Sequence, residues 1–249
     1  MHVTLTQPML QHGLMEVEMT DISRRDLLTA AAMAGGAVLL GNRVGAQPTS
    51  KVATSKYEVK PLPFNPAKLQ AISEKLIVSH HDKNYVGAVK RLSAIEEKIA
   101  QLPADAAPFQ MGSLKREALI ATNSMILHEY YFENLGGDGK IGGEIKNAIT
   151  KQFGSLEAWE HDFKLTGQSL SGGSGWVILA YSPRDKKLLN VWSSDHQVSL
   201  AAGAPILVMD MYEHAYQMDY GADAKAYIDA FFQNINWKEV DNRIRQVKQ

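Results

Sequence analysis

An aspartate, Asp210, closes the apolar run "PILVM", and a histidine, His214, follows it four residues later. A carboxylate placed after five consecutive apolar or proline residues is expected to be buried, and a buried carboxylate needs a cation beside it. Two more imidazoles lie upstream, His80 in "SHHDKNYVGAV" and His128 in "HEYYFENL", each on a stripe of apolar residues at spacings of three and four. Taken singly, each is a weak signal, because a histidine on such a stripe is more often satisfied by a core hydrogen bond. Brought to one point, three neutral imidazoles and one carboxylate give a divalent or trivalent ion a mixed nitrogen and oxygen shell. That shell leaves room for solvent and suits redox chemistry by manganese or iron. The chain has no cysteine, so thiolate sites, disulfides and cysteine nucleophiles are excluded and any metal rests on His, Asp or Glu.

The elements that must position these residues follow from periodicity and punctuation. Ser73 caps a helix carrying Leu76, Ile77, His80, Asn84, Ala88, Leu92, Ile95 and Ile99 on one face. "QLPADAAPFQMG" interrupts the pattern, and a second helix is predicted from about Leu114 to Leu135, stopped by Gly136 and Gly137. Two helices in tandem make an antiparallel hairpin. Beyond it come helices near Glu144 to Phe153 and Leu156 to Ser169, then strands "WVILAY", "LLNVWS" and "PILVMD", the first two joined by the polar turn "SPRDKK". An amphipathic helix, "DAKAYIDAFFQNI", precedes a charged tail helix. The fold class is α+β: a helical hairpin over 65–138, then an α/β domain over 139–249 with a three-stranded antiparallel sheet flanked by helices.

The N-terminal 46 residues read as an export signal rather than fold. Arg24 and Arg25 precede a short, weakly apolar run from Leu27 to Leu40, and Val44, Gly45 and Ala46 form a small-residue cleavage pattern. This is a twin-arginine signal, with Met19 a more usual start, and residues 47–64 form a lead-in. The run is too short for a stable membrane span in the mature form, and removal of the signal is expected to leave the protein in the periplasm or outside the cell. With 26 basic and 27 acidic residues the net charge is −1, so no charge excess points to nucleic acid or an anionic membrane.

"DMYEHAYQMDYG" resembles the D-x-W-E-H-A-Y-x-x-D-Y signature of the iron/manganese superoxide dismutases, and "FGSLEAWEHDFKLTGQSLSGGSGWVIL" resembles that family's helix-to-strand passage. "HEYYFENL" looks like its second ligand helix and "INWKEVDNRI" like its closing helix, so the likeness runs from about Tyr57 to Arg245. The resemblance implies one manganese or iron ion per subunit, superoxide as substrate, and ligands His80, His128, Asp210 and His214. Aligning Lys83 and Val89 without a gap puts His80, not His81, on the first ligand position. The active-site glutamine falls on Gln197 in "VWSSDHQVS", with His196 the rival if the register slips by one; Ser124 holds the alternative position. A glutamine at Gln197 favours manganese. Trp176 matches the pocket tryptophan. Glu213 matches a residue that crosses a dimer interface, and Tyr216 and Asn84 match a second cross-subunit pair, so a homodimer or tetramer is expected.

The departures are as specific. Ala88 stands where the family has a gateway tyrosine, Asn84 where it has a nearby histidine, Tyr212 for a tryptophan and Ile178 for a second pocket tryptophan. Proton supply and substrate access therefore differ, and Tyr85 is poorly angled on its helix to replace the lost phenol. They also motivate an alternative: a family member exported as a metal-binding protein with little dismutase activity.

Overall fold

The Ser73 hydroxyl accepts the Leu76 amide at 3.1 Å and starts the first helix. In this computed structural model, which describes residues 57–248, that helix is α1 (Glu74–Ser79), a π-helical turn (His80–Tyr85) and α2 (Val86–Ala100) in unbroken succession. The export signal assigned to 1–46 lies outside the described residues. The π turn begins at the first predicted ligand, a wide turn of the kind that collects at functional sites. It buries both His80 and His81.

The second helix, α3 (Pro108–Glu133), starts earlier than its periodicity predicts. Pro108 reads as a breaker in the sequence, but at the first helical position its missing N–H leaves no bond unmade. Gln110 then reaches back to accept the Ala107 amide at 3.0 Å. Tyr85 bonds Glu129, and Arg91 bonds Glu117. The paired residue number falls on α3 as it rises on α2, so the two helices are antiparallel.

Next come α4 (Gly143–Phe153) and α5 (Leu156–Gln168), then strands β1 (Trp176–Ser182), β2 (Lys187–Ser193) and β3 (Ala204–Asp210). A short 3-10 turn (Glu213–Ala215), α6 (Gln217–Tyr220), α7 (Ala224–Gln233) and α8 (Trp237–Val247) complete the chain. The sheet is antiparallel in the order β2-β1-β3. Every residue of β1 is buried, which accounts for its unbroken apolar sequence as a central strand covered on both faces.

This topology builds one end of the sheet into a site. In an antiparallel sheet the start of the central strand lies beside the ends of both neighbours, and Trp176 pairs with Ser193 on one side and Asp210 on the other. The pocket tryptophan, the aspartate and the loop after β2 therefore share that end. Gly175, at φ +144°, makes the entry possible, because a Cβ there would run into the Ser193 carbonyl. Among the described residues, no helix is long and apolar enough to cross a membrane.

Candidate metal centre

Asp210 is fully buried at the end of β3, and its Oδ2 lies 3.1 Å from His80 Nε2, 3.3 Å from His214 Nε2 and 3.7 Å from His128 Nε2. Four elements thus converge on one carboxylate oxygen: the π turn, α3, β3 and the 3-10 turn that brings His214 back under the strand. One ligand atom from each of the four residues lies within 4.8 Å of the others.

The electrostatics of the cluster call for a cation. Burial lowers the pKa of His80, and drives that of His128 down to about 3, so both rings are neutral. Burial alone would raise the Asp210 carboxyl, but His214 and His80 override it and hold it below the usual carboxylate range. An anion beside two neutral imidazoles suits a metal ion that takes the place of bound protons. Consistent with that, His80 Nδ1, His128 Nε2 and His214 Nε2 are buried atoms without a hydrogen-bond partner among the described residues. The residues present therefore fit a mononuclear transition-metal ion.

Contacts behind the ligands fix how each is presented. His128 Nδ1 donates to the Ser124 carbonyl at 2.6 Å, which leaves Nε2 as the nitrogen with a free lone pair. Asp210 Oδ1 accepts the Tyr212 amide at 2.8 Å, keeping Oδ2 for the cluster. The Tyr227 hydroxyl donates to the Asp210 carbonyl at 2.8 Å and lies 3.2 Å from the Tyr131 hydroxyl. The Tyr227 contact had no signal in the sequence, since one tyrosine on an amphipathic helix looks like any other core residue.

His81, adjacent to the first ligand, turns away. Its Nε2 meets the Lys60 carbonyl and its Nδ1 meets Asp82, each at 2.8 Å, so both ring nitrogens are engaged outside the cluster. Tyr85 does not replace the missing phenol either. Its hydroxyl accepts the Lys60 amide at 2.9 Å and donates to Glu129 at 3.0 Å, and its ring packs on Phe132. Ala88 is buried.

The loop after β2 departs from expectation. Gln197 turns to Asp195, taking its backbone N–H there at 2.5 Å and its side-chain amide at 3.4 Å. His196 occupies the place beside the pocket tryptophan. Its Nδ1 accepts from Trp176 Nε1 at 3.0 Å, and its ring stacks on Tyr212 with centroids 4.7 Å apart and lies 6.2 Å from that of His128. The residue that the sequence reading held as a rival is the one whose side chain faces the cluster. Tyr216 is 1% exposed, stacks on Tyr227 and accepts the Gly172 amide at 3.3 Å. Glu213 is exposed and Asn84 half-buried.

Comparison with known proteins agrees with this geometry. Residues 141–243 match the model for iron/manganese superoxide dismutases, C-terminal domain. The chain is 57% identical over 188 residues to an iron superoxide dismutase of Cupriavidus metallidurans, spanning 75% of this chain and 95% of that one. It is 32% identical to an iron superoxide dismutase of Pyrobaculum aerophilum, over 78% of this chain and 95% of the relative. It is also 32% identical to a manganese superoxide dismutase of Halobacterium salinarum, over 77% and 96%. The chain belongs to the iron/manganese superoxide dismutase family.

Proposed function

We propose that this protein is a superoxide dismutase whose iron or manganese ion is held by His80, His128, Asp210 and His214. The observation that carries the reading is the single buried oxygen, Asp210 Oδ2, within 3.7 Å of three imidazole nitrogens. Such an ion, when bound, supplies the one-electron exchange by which one superoxide is oxidised to oxygen and a second, with two protons, is reduced to hydrogen peroxide.

The chain's own groups do the rest. Asp210 contributes a negative charge that favours the more oxidised ion. Ser124 and Tyr212 orient the His128 and Asp210 side chains through main-chain contacts, so the ligands are held ready rather than assembled on binding. Trp176, Tyr212 and His196 wall the cluster with an aromatic surface that limits water. His196 supplies a hydrogen-bonding group beside His128 in the role expected of Gln197. A manganese preference read from Gln197 finds no support in the direction of its side chain, and both metals fit the donor set.

The exposed Glu213, next to ligand His214, supports a homodimer or tetramer in which Glu213 and the half-buried Asn84 reach a partner subunit. The paired arginines and apolar run of 1–46 support twin-arginine export, followed by the lead-in 47–64, the helical part 65–138 and the α/β part 139–249. The test is metal analysis and superoxide removal on the purified protein, with sedimentation on the same sample. Stoichiometric iron or manganese with high turnover is expected. A filled site without turnover indicates a metal-binding protein instead.

A further inference from the structure

His196 reaches the cluster from a ten-residue loop, 194–203, that has no regular structure. Most of its hydrogen bonds are local: Val198 N to the Asp195 carbonyl at 3.3 Å, Gly203 N to the Leu200 carbonyl at 3.0 Å, and the Ser193 hydroxyl to the Asp195 carbonyl at 2.8 Å. Such bonds shape the loop but do not fix its distance from the metal ligands. From outside, Trp176 Nε1 donates to the His196 ring at 3.0 Å, and two loop carbonyls are also held. Ser174 Oγ donates to Ser194 O at 2.8 Å, and Asn123 Nδ2 donates to His196 O at 2.5 Å.

Asn123 lies on α3, one residue before Ser124, whose carbonyl holds His128 at 2.6 Å. Consecutive residues of one helical turn therefore hold a metal ligand and the loop histidine. We propose that Asn123 is a positioning residue that clamps the His196 backbone to the helix carrying His128 and so sets where the His196 ring stands beside that ligand. This rests on the reading of the cluster as the dismutase centre. The geometry is specific to an amide: only the Nδ2 end can donate to a carbonyl. An aspartate of the same shape has no donor there and turns the contact into a repulsion.

The test compares Asn123→Ala, Asn123→Asp and His196→Ala, each metal-loaded, and both Asn123 variants combined with His196→Ala. Turnover, metal content, the visible absorption of the oxidised metal and amide exchange over 194–203 are read on each. Both Asn123 variants are expected to keep full metal, shift the absorption, exchange faster across the loop and lose turnover on the order of 10-fold, the scale of outer contacts to a metal site. In the His196→Ala background neither should lose more, because Asn123 acts through His196. Three results would overturn the clamp while leaving the dismutase reading intact: Asn123→Asp behaving as wild type, losses that add to those of His196→Ala, or loss of metal. If His196→Ala leaves turnover unchanged at full metal, the clamp and the role of His196 both fail.

Discussion

Trp176 Nε1 donates to His196 Nδ1 at 3.0 Å. An indole nitrogen only donates, so Nδ1 of His196 is the acceptor and a neutral ring carries its proton on Nε2. Burial lowers the pKa of His196, which keeps the ring neutral. The tryptophan thus selects one tautomer of a histidine whose remaining nitrogen is an N–H donor.

This selection separates His196 from its neighbour. His196→Ala is expected to cut turnover on the order of 10-fold to 100-fold with metal content unchanged, whereas Gln197→Ala, which removes only a contact with Asp195, should change turnover by less than about twofold. Trp176→Phe keeps an aromatic wall but frees Nδ1, and it should fall between the two. Steady-state superoxide removal normalised to bound metal measures all three. A Gln197 variant as impaired as His196→Ala would return the role to the glutamine.

The two adjacent histidines of the π turn make a second contrast. His80 aims Nε2 at Asp210, while both nitrogens of His81 are spent on Asp82 and the Lys60 carbonyl. His80→Ala should purify with its metal largely lost. His81→Ala should keep stoichiometric metal and instead melt earlier, because the His81 ring's hydrogen bond to the Lys60 carbonyl is lost at a cost of about 1 kcal/mol. Elemental analysis and thermal melts on the two variants distinguish them. An empty site in His81→Ala with a filled one in His80→Ala would reverse the assignment.

The metal-free protein should weaken on mild acidification. An imidazole in an unfolded chain titrates near pH 6.5, whereas His128 in the fold titrates at about 3 and His80 is lowered too. Between those values the unfolded state binds a proton that the folded state does not, so stability falls as pH falls. Asp210, held below its ordinary range, is ionised in both states above about pH 5 and adds no slope there. Urea unfolding of chelator-treated protein should give a free energy lower by about 1 kcal/mol from His128 alone at pH 5.5 than at pH 7, and His80 adds in the same direction. Equal stability at the two pH values would mean that the imidazoles are not buried and neutral in the metal-free fold.

What the sequence made legible was what repeats or breaks a pattern. Asp210 stood out as an acid ending an apolar strand, and His80 and His128 as polar interruptions of helical stripes, each a weak signal alone; the family resemblance grouped them with His214 and chose His80 over His81. The strands were readable to within a residue or so, because β1 is covered on both faces and its sequence is apolar throughout. The start of α3 was hidden because proline is permitted at a helix's first position. His196 and Gln197 were separated by one residue in an irregular loop, where no periodicity assigns a direction to either side chain. Tyr216 sits inside the stretch that resembles the family signature, yet its burial against Tyr227 depends on α7, more than one element away in the chain. Asn123 and Tyr227 act through main-chain carbonyls, whose positions no residue type announces.

Tyr227 carries the last prediction. Its hydroxyl has one hydrogen, and the Asp210 carbonyl, which can only accept, takes it at 2.8 Å; Tyr131, 3.2 Å away, must then donate to Tyr227. The order is Tyr131 to Tyr227 to Asp210. Both tyrosines are fully buried, which raises their pKa values and keeps the hydroxyls protonated as donors. Tyr227→Phe leaves the Asp210 carbonyl and the Tyr131 hydroxyl both unpaired, and should cost about 2–4 kcal/mol. Tyr131→Phe removes only the first donor and leaves Asp210 served, and should cost about 1 kcal/mol. Denaturant unfolding of the metal-loaded variants measures the difference. Equal costs would mean that the carbonyl behind the aspartate ligand does not depend on Tyr227, and a larger cost for Tyr131→Phe would reverse the order of the chain.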